Sequence, residues 1–489
     1  MANRSKAVRA QMPNPLAFLA LACFPLVVMA LFGKLPADRA LIWSILLGYL
    51  FLPEPPAVFD LPAAPPLTKH NIPALFAFAT VLWRRKLSAS LLPQSMIGKA
   101  FVLTFVLSPI LTVLTNGEPV IWGEVGLPPL GVKDMIALSV QQFLVLLPFL
   151  MARQFLSSGG AQRELLKALM IGGLVYSALM LIEIRMSPQL NMWIYGYYQH
   201  YFGQSVRFGG YRPVVFLYHG LWVAFYTFMA ATAAWGLWRL SPGEQKVKFL
   251  LAALWLSMIL VMAKSMGAVI LFAVAAPAVI CLPVRWQIRL AIVIGVIALI
   301  YPILKGFALV PEETLLARAA AIDPDRAASL RFRFMNENTL LDRAYLKPLF
   351  GWGSWGRNHI LDPITGFILT VTDGRWIITI GVYGWVGFAA EFGLILLPLV
   401  MIAQEVRLAR RLDVAQVSPL VGPLALLLAL NLADMVPNAT LTPLTWLLCG
   451  ALLGYAEQLR TARLTSPPQP VDDTQKPVSK PLKWEPVIR

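Results

Sequence analysis

Residues 248–304 decide the fold class, and they read KFLLAALWLSMILVMAKSMGAVILFAVAAPAVICLPVRWQIRLAIVIGVIALIYPIL. The charged side chains in this stretch, Lys248, Lys264, Arg285 and Arg289, stand at the borders of three long apolar blocks. Each block approaches the roughly 20 apolar residues that a helix needs to cross about 30 Å of hydrocarbon. The stretch therefore predicts three consecutive membrane-spanning helices.

The same alternation of apolar blocks and polar connections covers most of the 489 residues. Hydrophobic residues make up 58% of the chain and charged residues 13%, whereas soluble domains contain about 25% charged residues. This composition excludes an ordinary soluble enzyme. We therefore predict an all-α polytopic integral membrane protein with about twelve, or alternatively thirteen, transmembrane helices and a large external loop region late in the chain. The apolar blocks cover residues 15–33, 39–53, 72–83, 100–114, 135–151, 166–186, 213–238, 248–264, 266–284, 288–304, 376–402, 420–436 and 441–456.

The number of crossings depends on block 72–83, which is the shortest. About a dozen residues are too few to span a membrane comfortably, and basic residues flank the block on both sides. We expect it to lie flat or to re-enter the membrane, which leaves about twelve crossings with both termini inside. The alternative is a thirteenth crossing and an exported N-terminus. Residues 1–33 also have the composition of a signal peptide, but no small-residue cleavage site follows them.

Lysine and arginine orient the helices, because the cytoplasmic loops of membrane proteins are enriched in these residues. This rule places segments 187–212 and 306–375 outside. It places the Pro-rich tail, residues 459–489, in the cytoplasm, where we expect it to be disordered. Residues 1–458 then form the transmembrane domain. The net charge of +16 follows from the same enrichment, so we expect membrane lipids and no nucleic acid as partners.

The first external segment contains arginines without neighbouring acids. Between residues 184 and 213 the chain carries three arginines, no carboxylate and many aromatic side chains. Arg207 and Arg212 bracket a Gly-Gly pair, and the guanidinium group matches phosphate oxygens. We expect these two arginines to bind an anion. The alternative is an aromatic belt whose arginines extend to lipid headgroups.

The second external segment combines helical stretches with a glycine-rich turn. Residues 315–321 and 327–345 have helical character, and most of their charges are expected to pair internally. The turn PLFGWGSWGRNH follows at 348–359 and predicts a tight, aromatic-lined surface feature. Asp373 and Arg375 then stand at the N-terminal mouth of a membrane helix, where the helix dipole favours a carboxylate. Asp373 is interpreted either as a usable base or as a simple N-cap.

A few further residues carry weaker signals. Gly381, Gly384 and Gly387 recur three apart, which predicts a helix face for close helix approach. Lys264 and Glu391 are the notable charges within apolar stretches, although Lys264 also fits the aqueous end of a short helix pair. The four histidines are scattered and no Cys/His spacing is typical of a metal site, so no metal is expected.

In chain order, an arginine-glycine stretch, a G-x-G-x-x-G turn and a G-x-x-G helix resemble the O-antigen ligase and Wzy-type polysaccharide polymerase superfamily, most of all a bacterial exopolysaccharide-associated branch. The resemblance covers about residues 165–405. It implies a glycosyltransferase of the bacterial inner membrane whose active face is periplasmic. Such an enzyme transfers a glycan from a polyprenyl diphosphate carrier to a glycan acceptor without a metal or cofactor. Other polysaccharide assembly proteins are further partners that it implies.

The resemblance assigns roles to several cations. In RFGG (207–210), Arg207 takes the family position that engages the pyrophosphate and contributes to catalysis, and Arg212 is an additional cation. A second family arginine follows serine in an S-R-G-A pattern. This chain reads KSMGA at 264–268, so that arginine is missing and Lys264 is its expected substitute.

The family's external histidine is also missing. Counting back from the G-x-x-G of Gly381 and Gly384 places it at Thr370. Asp373 is the nearest group that can accept a proton, so we expect it to act as the catalytic base, while His359 can fold back to the same region. Arg375 is expected at the donor pyrophosphate. The residues expected to position the glycan or the acceptor are Arg331, Arg333, Trp352, Trp355, His359 and His219.

Two other functions stay open at this point. A transporter or flippase for lipid-linked glycans would use the same arginines for binding without bond chemistry. A non-catalytic subunit of a polysaccharide export assembly would explain the missing histidine. The interior of the predicted bundle is poor in charge, which favours the enzyme over a transporter with a water-lined path.

Overall fold

The computed structural model describes residues 12–61, 65–84, 91–207, 209–412 and 417–465, except for the side chains of residues 326 and 410–412. Over these residues the chain forms sixteen α-helices and two short antiparallel hairpins. The helices are α1 (Pro15–Lys34), α2 (Ala37–Phe51), α3 (Ile72–Trp83), α4 (Met96–Leu114), α5 (Val132–Phe155), α6 (Gly159–Met186), α7 (Leu190–Tyr195), α8 (Gly220–Leu240), α9 (Gly243–Met262), α10 (Met266–Cys281), α11 (Val284–Gly306), α12 (Glu312–Ile322), α13 (Pro324–Tyr345), α14 (Arg375–Leu412), α15 (Val421–Asp434) and α16 (Pro443–Thr465). The strands are β1 (Val120–Trp122), β2 (Val125–Leu127), β3 (Val206–Arg207) and β4 (Gly210–Tyr211).

The helices have the composition of membrane spans. Among the described residues, eight helices are long and apolar enough to cross a membrane, namely α1, α4, α5, α6, α8, α9, α11 and α14. Three shorter apolar helices, α3, α10 and α15, accompany them. The chain is therefore an all-α protein with the apolar helices of a membrane protein, as predicted.

Loop hydrogen bonds sort the helix ends into two faces. The backbone N–H of Asn14, just before α1, donates to the carbonyl of Tyr195 at 2.9 Å. The Tyr195 hydroxyl donates to the carbonyl of Phe51, at the end of α2, at 2.6 Å. The start of α1 and the end of α2 thus lie beside segment 187–212, on what we call the site face. On the opposite face, Arg39 near the start of α2 pairs with Glu164 near the start of α6, Nε to Oε2 3.0 Å.

The helix α3 runs between these two faces. Just before it, Lys69 donates to the carbonyl of Phe216 at 2.7 Å, on the site face. Just after it, Arg84 donates to the carbonyl of Phe32 near the end of α1, at 2.6 Å. The expectation that residues 72–83 lie flat or re-enter is not supported by these bonds. Packing explains why so short a helix fits there, because its side chains Ala77 and Val81 are fully buried.

The centre of the bundle is α8, which packs against α6, α9, α10 and α15. Small residues allow the close approach, since a Cβ atom added at Gly173 of α6 would overlap Ala230 of α8. Buried alanines at positions 230, 231, 233 and 234 continue this contact surface. The tight packing fixes the first turn of α8 on the site face, where the candidate functional side chains gather.

Segment 306–375, which is predicted to be external, contains the helices that the sequence suggests. Helices α12 and α13 contain the two predicted helical stretches, although each starts three residues earlier than predicted. Asp323 causes the early start of α13, because its side chain caps the helix by accepting from the backbone N–H of Asp325 at 3.0 Å. The two helices pack against each other, and α13 also contacts α14.

The C-terminal boundary differs from the prediction. Helix α16 continues to Thr465, past the predicted start of the tail at residue 459. Two ion pairs hold this last part, Arg153 with Glu457 at 2.6 Å and Arg463 with Glu405 at 3.0 Å. The rest of the predicted disordered tail, residues 466–489, lies outside the described residues.

Candidate functional site

The loop before α8 is held by a buried carboxylate that the sequence analysis missed. Glu183, near the end of α6, accepts from the backbone N–H groups of Val214 and Val215, both at 2.7 Å, and of Leu190 at 3.0 Å. Val215 has a φ of 53°, a costly conformation for a β-branched residue, and the carboxylate stabilises it. The signal in the sequence was a lone acid inside an apolar helix.

Three cations meet beside this loop. The side chain of Arg212 is buried and lies along Gly220, the first residue of α8, where a Cβ atom would overlap it. The Arg212 guanidinium donates to the carbonyl of Lys264 at 3.1 Å. In return the Lys264 ammonium donates to the carbonyl of Arg207 at 3.3 Å. We call Arg207, Arg212 and Lys264 the cation cluster, in which the structure brings Lys264 next to two arginines that precede it by 57 and 52 positions.

The arginines of the cation cluster have no acidic partner within the described part of the chain. Neither Arg207, which is exposed, nor Arg212 lies within 4.0 Å of a described carboxylate. The two oxygens of Glu183, the nearest acid in sequence, are occupied by backbone amides instead. Burial, and then the charge of Arg207, lower the pKa of Arg212 to about 10. A guanidinium without an acidic partner is stabilised more by an added anion than one that is already paired with a carboxylate.

The histidine beside the cluster is neutral. Burial, followed by the charges of His200, Arg212 and Arg207, lowers the pKa of His219 to about 3. Its Nδ1 accepts from the backbone N–H of Leu221 at 3.1 Å and so caps α8. Its Nε2 therefore carries the proton and donates to Gln204 at 3.0 Å. Both ring nitrogens form hydrogen bonds within the protein. His219 therefore holds the start of α8 in place and does not transfer a proton.

A cleft of about 530 Å³ opens on the same face. It contains two of the predicted site residues, Trp355 and Arg375, and its walls come from the loop before α3, from α5, α8 and the glycine-rich turn, and from the loop between α15 and α16. Its lining residues include His70, Gln141, Trp222, Ser354, Trp355, Arg375, Thr442 and Trp446. Aromatic faces and a few polar groups in a cleft of this size suit sugar rings.

A row of rings joins the cleft to the cation cluster. The centroid of His70 lies 6.5 Å from that of Trp222, and Trp222 lies 6.3 Å from Tyr218. Tyr218 lies 4.9 Å from His200, which lies 4.7 Å from His219. The cluster and the cleft therefore flank the same first turn of α8.

The glycine-rich turn forms backbone hydrogen bonds with helix α14 where that helix is interrupted. The backbone N–H of Trp352 donates to the carbonyl of Gly381, and that of Gly353 to the carbonyl of Val382, both at 2.9 Å. Helix α14 is interrupted at Gly384, with φ 67° and ψ −171°. A Cβ atom at Gly384 would overlap the carbonyl of Leu349. The predicted smooth face of three glycines for helix packing is therefore wrong at Gly384, which breaks the helix and admits the turn.

The two tryptophans of the turn have different surroundings. The Trp352 indole donates to the carbonyl of Arg343 at 2.7 Å, and the Arg343 guanidinium lies 3.6 Å from the centroid of the Trp352 ring. Trp355 is 55% exposed and lines the cleft. Trp352 is thus part of the framework, and Trp355 is the tryptophan available to a ligand.

Sequence reasoning also missed Arg357, which is 2% exposed and donates to several backbone carbonyls, including that of Glu118 at 2.9 Å.

The expected cation Arg375 has its charge compensated. Its guanidinium makes two bonds to Glu391, Nε to Oε1 at 2.7 Å and Nη2 to Oε2 at 2.6 Å. Thr379 also donates to Glu391, at 3.1 Å. Glu391, which the sequence marked as a charge within an apolar stretch, lies fully buried as the partner of Arg375.

The expected base Asp373 also has a basic partner. Its carboxylate lies 3.4 Å from the Arg333 guanidinium, which donates to the carbonyl of Pro437 at 3.2 Å. Two residues predicted for separate roles thus pair with each other. Arg331, two residues before Arg333 in α13, is exposed.

The structure places His359 beside Thr370, the position at which the resemblance expects a histidine. The Nδ1 of His359 lies 3.0 Å from the hydroxyl of Thr370, so His359 folds back as expected. Burial lowers the pKa of His359 below its ordinary value, which keeps the imidazole neutral.

Comparison with protein-family models and with curated proteins gives no match.

Proposed function

We propose that this protein is a membrane glycosyltransferase of the O-antigen ligase and polymerase kind, acting on polyprenyl-diphosphate-linked glycans. The observation that carries the proposal is the cation cluster beside the first turn of α8. It presents two arginines without a described acidic partner next to an aromatic cleft. Phosphate oxygens are the ligands that such arginines and a helix N-terminus favour.

The two parts of the site divide the donor between them. The diphosphate binds to Arg207, Arg212 and Lys264, and the attached sugar extends into the cleft toward Trp222 and Trp355. As the bond to the sugar breaks, negative charge grows on the diphosphate, and the cation cluster stabilises it electrostatically. Arg375 orients the start of α14 through Glu391 and contributes little net charge to the anion.

The orientation of the protein follows from the same proposal. The bonds at the two ends of α3 favour thirteen crossings, with the start of α1 on the site face. The short basic connections lie on the opposite face, which by the positive-inside rule is cytoplasmic. The site face then opens to the periplasmic side of a bacterial inner membrane.

The test is a reconstitution. Purified protein in vesicles is incubated with a polyprenyl diphosphate oligosaccharide and a glycan acceptor, and new glycosidic bonds are measured by mass spectrometry. We expect chain growth or transfer with the wild type and a loss of at least about 100-fold with Arg207→Ala. The matched control is Arg185→Ala, an exposed arginine of the same region outside the cation cluster. Equal activity of both variants would contradict the proposal.

The break in α14 favours a second candidate function. Discontinuous helices line the substrate sites of many transporters, and Gly384 interrupts α14, whose first residue, Arg375, lines the cleft. A transporter or flippase would move the lipid-linked glycan across the vesicle membrane without forming a bond. The same vesicles distinguish the two functions, since an assay of donor accessible to an impermeant lectin reports movement and mass spectrometry reports new bonds.

A further inference from the structure

One wall of the cleft carries a histidine–carboxylate pair that the sequence analysis left unassigned. His70 lines the cleft, next to Trp222 and on the same cavity as Arg375. We infer that His70, oriented by Glu54, is the group that accepts the proton of the acceptor hydroxyl. This inference rests on the proposed function and deepens it by naming the base.

The geometry of the pair is that of a base and its orienting acid. The Nε2 of His70 lies 2.9 Å from Oε2 of Glu54. Glu54 is 1% exposed, whereas the side chain of His70 is 35% exposed. One ring edge is thus fixed from behind by a carboxylate while the ring reaches the open cleft. A base held by a third group in this way is the common arrangement of general-base catalysis.

A buried lysine keeps Glu54 ionised. Its other oxygen, Oε1, lies 3.2 Å from the ammonium of Lys69, which is itself 1% exposed. Burial alone would raise the pKa of Glu54, but Lys69 and His70 outweigh it and bring the pKa to about 2. The hydroxyl of Tyr197 donates to the backbone carbonyl of Glu54 and anchors the loop. The carboxylate is therefore charged and fixed in place.

The charged carboxylate determines which nitrogen of His70 is the base. Glu54 can only accept a hydrogen bond, so the proton of neutral His70 resides on Nε2. The Nδ1 atom is then unprotonated, and within the described ranges it has no hydrogen-bond partner in the protein. It is the nitrogen left to receive a proton from a substrate.

The other proton acceptors on this face are bonded within the protein or do not line the cleft. Asp373 is paired with Arg333, and His359, whose Nδ1 is bonded to Thr370, is not among the residues that line the cleft. His219 uses both nitrogens, and Nδ1 of His200 accepts from the backbone N–H of Tyr201 at 2.7 Å. Within the described residues, His70 is the histidine that combines a buried carboxylate partner with a place on the cleft.

The step balances without a further reactant. The acceptor oxygen forms a bond to the anomeric carbon of the donor sugar, and the bond from that carbon to the phosphate oxygen breaks. The electron pair of the broken bond leaves with the polyprenyl diphosphate, at the cation cluster. The hydroxyl proton moves to Nδ1 of His70, and the resulting imidazolium is stabilised by Glu54 until the proton passes to water.

The test uses full-length protein in vesicles with a polyprenyl diphosphate oligosaccharide as donor and a glycan acceptor. We expect His70→Ala to lower kcat at least about 100-fold, while KM for the donor changes less than about twofold. Added imidazole is expected to restore part of the activity of His70→Ala, which a purely structural role would not allow. Glu54→Gln should cause a smaller fall in kcat than His70→Ala. If Glu54→Gln does not fold because the buried ammonium of Lys69 has lost its partner, the double variant Glu54→Gln/Lys69→Met removes that charge and is measured instead.

The outcomes separate this inference from the proposed function. If the wild type forms glycosidic bonds and His70→Ala retains its kcat within about threefold, the inference is wrong and the proposed function stands. A loss confined to Asp373→Asn or His359→Asn would likewise overturn it and identify the other base. Loss of donor binding in His70→Ala without rescue by imidazole would show a structural role. If the wild type forms no bond, the proposed function fails, and the inference fails with it.

Discussion

Two arginines beside helix starts, buried Arg212 and partly exposed Arg375, differ in one respect that decides their chemistry. Arg212 lies against the first residue of α8 and donates to a backbone carbonyl, without a described carboxylate within ion-pair distance. Arg375 begins α14 and binds both oxygens of Glu391. The sequence treats the two alike, as external arginines before a membrane helix. The comparison teaches that the tertiary position of an acid determines which arginine is available to an added anion.

The largest effect is expected when Arg375 loses its acidic partner, Glu391. Glu391→Gln leaves the charge of Arg375 without its buried partner, which should lower the free energy of unfolding by about 3 kcal/mol. The measurement is denaturant unfolding in detergent. The double variant Arg375→Met/Glu391→Leu removes both charges and is expected to unfold close to the wild type. Equal destabilisation of the single and double variants would mean that packing, and not charge, connects these residues.

The framework that places both regions should depend on Gly384. Gly384→Ala forces a side chain into a φ of 67° and against the carbonyl of Leu349. We expect a loss of about 2 kcal/mol in the free energy of unfolding and a change in the fluorescence of the exposed Trp355. Gly160→Ala in α6 is the control, since a Cβ atom there meets only Ser158, at 3.9 Å. A stable Gly384→Ala protein would argue against the break in α14.

Adding an acid should give the cation cluster a neighbouring carboxylate, as Arg375 has in Glu391. Gln204 accepts from His219 beside the cluster, and Gln204→Glu introduces a carboxylate of nearly the same shape there. We expect donor affinity to fall about tenfold, or about 1.4 kcal/mol, as measured by binding of a short-chain prenyl diphosphate. Gln204→Ala tests whether loss of the hydrogen bond alone has this effect. Unchanged affinity in Gln204→Glu would place the anion elsewhere.

The smallest effect concerns pH. His219 has a pKa of about 3 in the folded protein, below its ordinary value of about 6.5, so protonation favours the unfolded chain. The stability associated with neutral His219 is therefore present above about pH 6.5 and falls as the pH is lowered, by at most about 1.4 kcal/mol per pH unit. Thermal unfolding between pH 6 and 7 measures it, and His219→Gln should flatten the slope. Glu54, with its lowered pKa, contributes its own loss only at lower pH.

The sequence allowed the helices to be predicted far better than their partners. Apolar blocks of the right length became α8 through α11, because burial in hydrocarbon depends on local composition. The role of α3 could not be read in the same way, since Lys69 and Arg84 reveal its direction only through bonds to Phe216 and Phe32. Charge at the two ends of the block was equally compatible with a helix lying flat.

The site was predicted in part for a related reason. A lack of nearby acids in the sequence predicted that Arg207 and Arg212 have no acidic partner, and this holds among the described residues because Glu183, the adjacent acid, is occupied by backbone amides. The same local reasoning could not foresee that Glu391, sixteen positions beyond Arg375, returns to pair with it. The break at Gly384 was hidden as well, because a glycine three residues from another also fits an ordinary helix face.

The most direct test of the account is the binding of a prenyl diphosphate to three forms of the purified protein. The account predicts that the wild type and Arg375→Met/Glu391→Leu bind it with similar affinity. It predicts that Arg207→Ala/Arg212→Ala loses at least about 100-fold, or about 2.7 kcal/mol. If the arginine pair of the cation cluster can be removed without loss of binding, while the Arg375–Glu391 pair cannot, the central claim is contradicted.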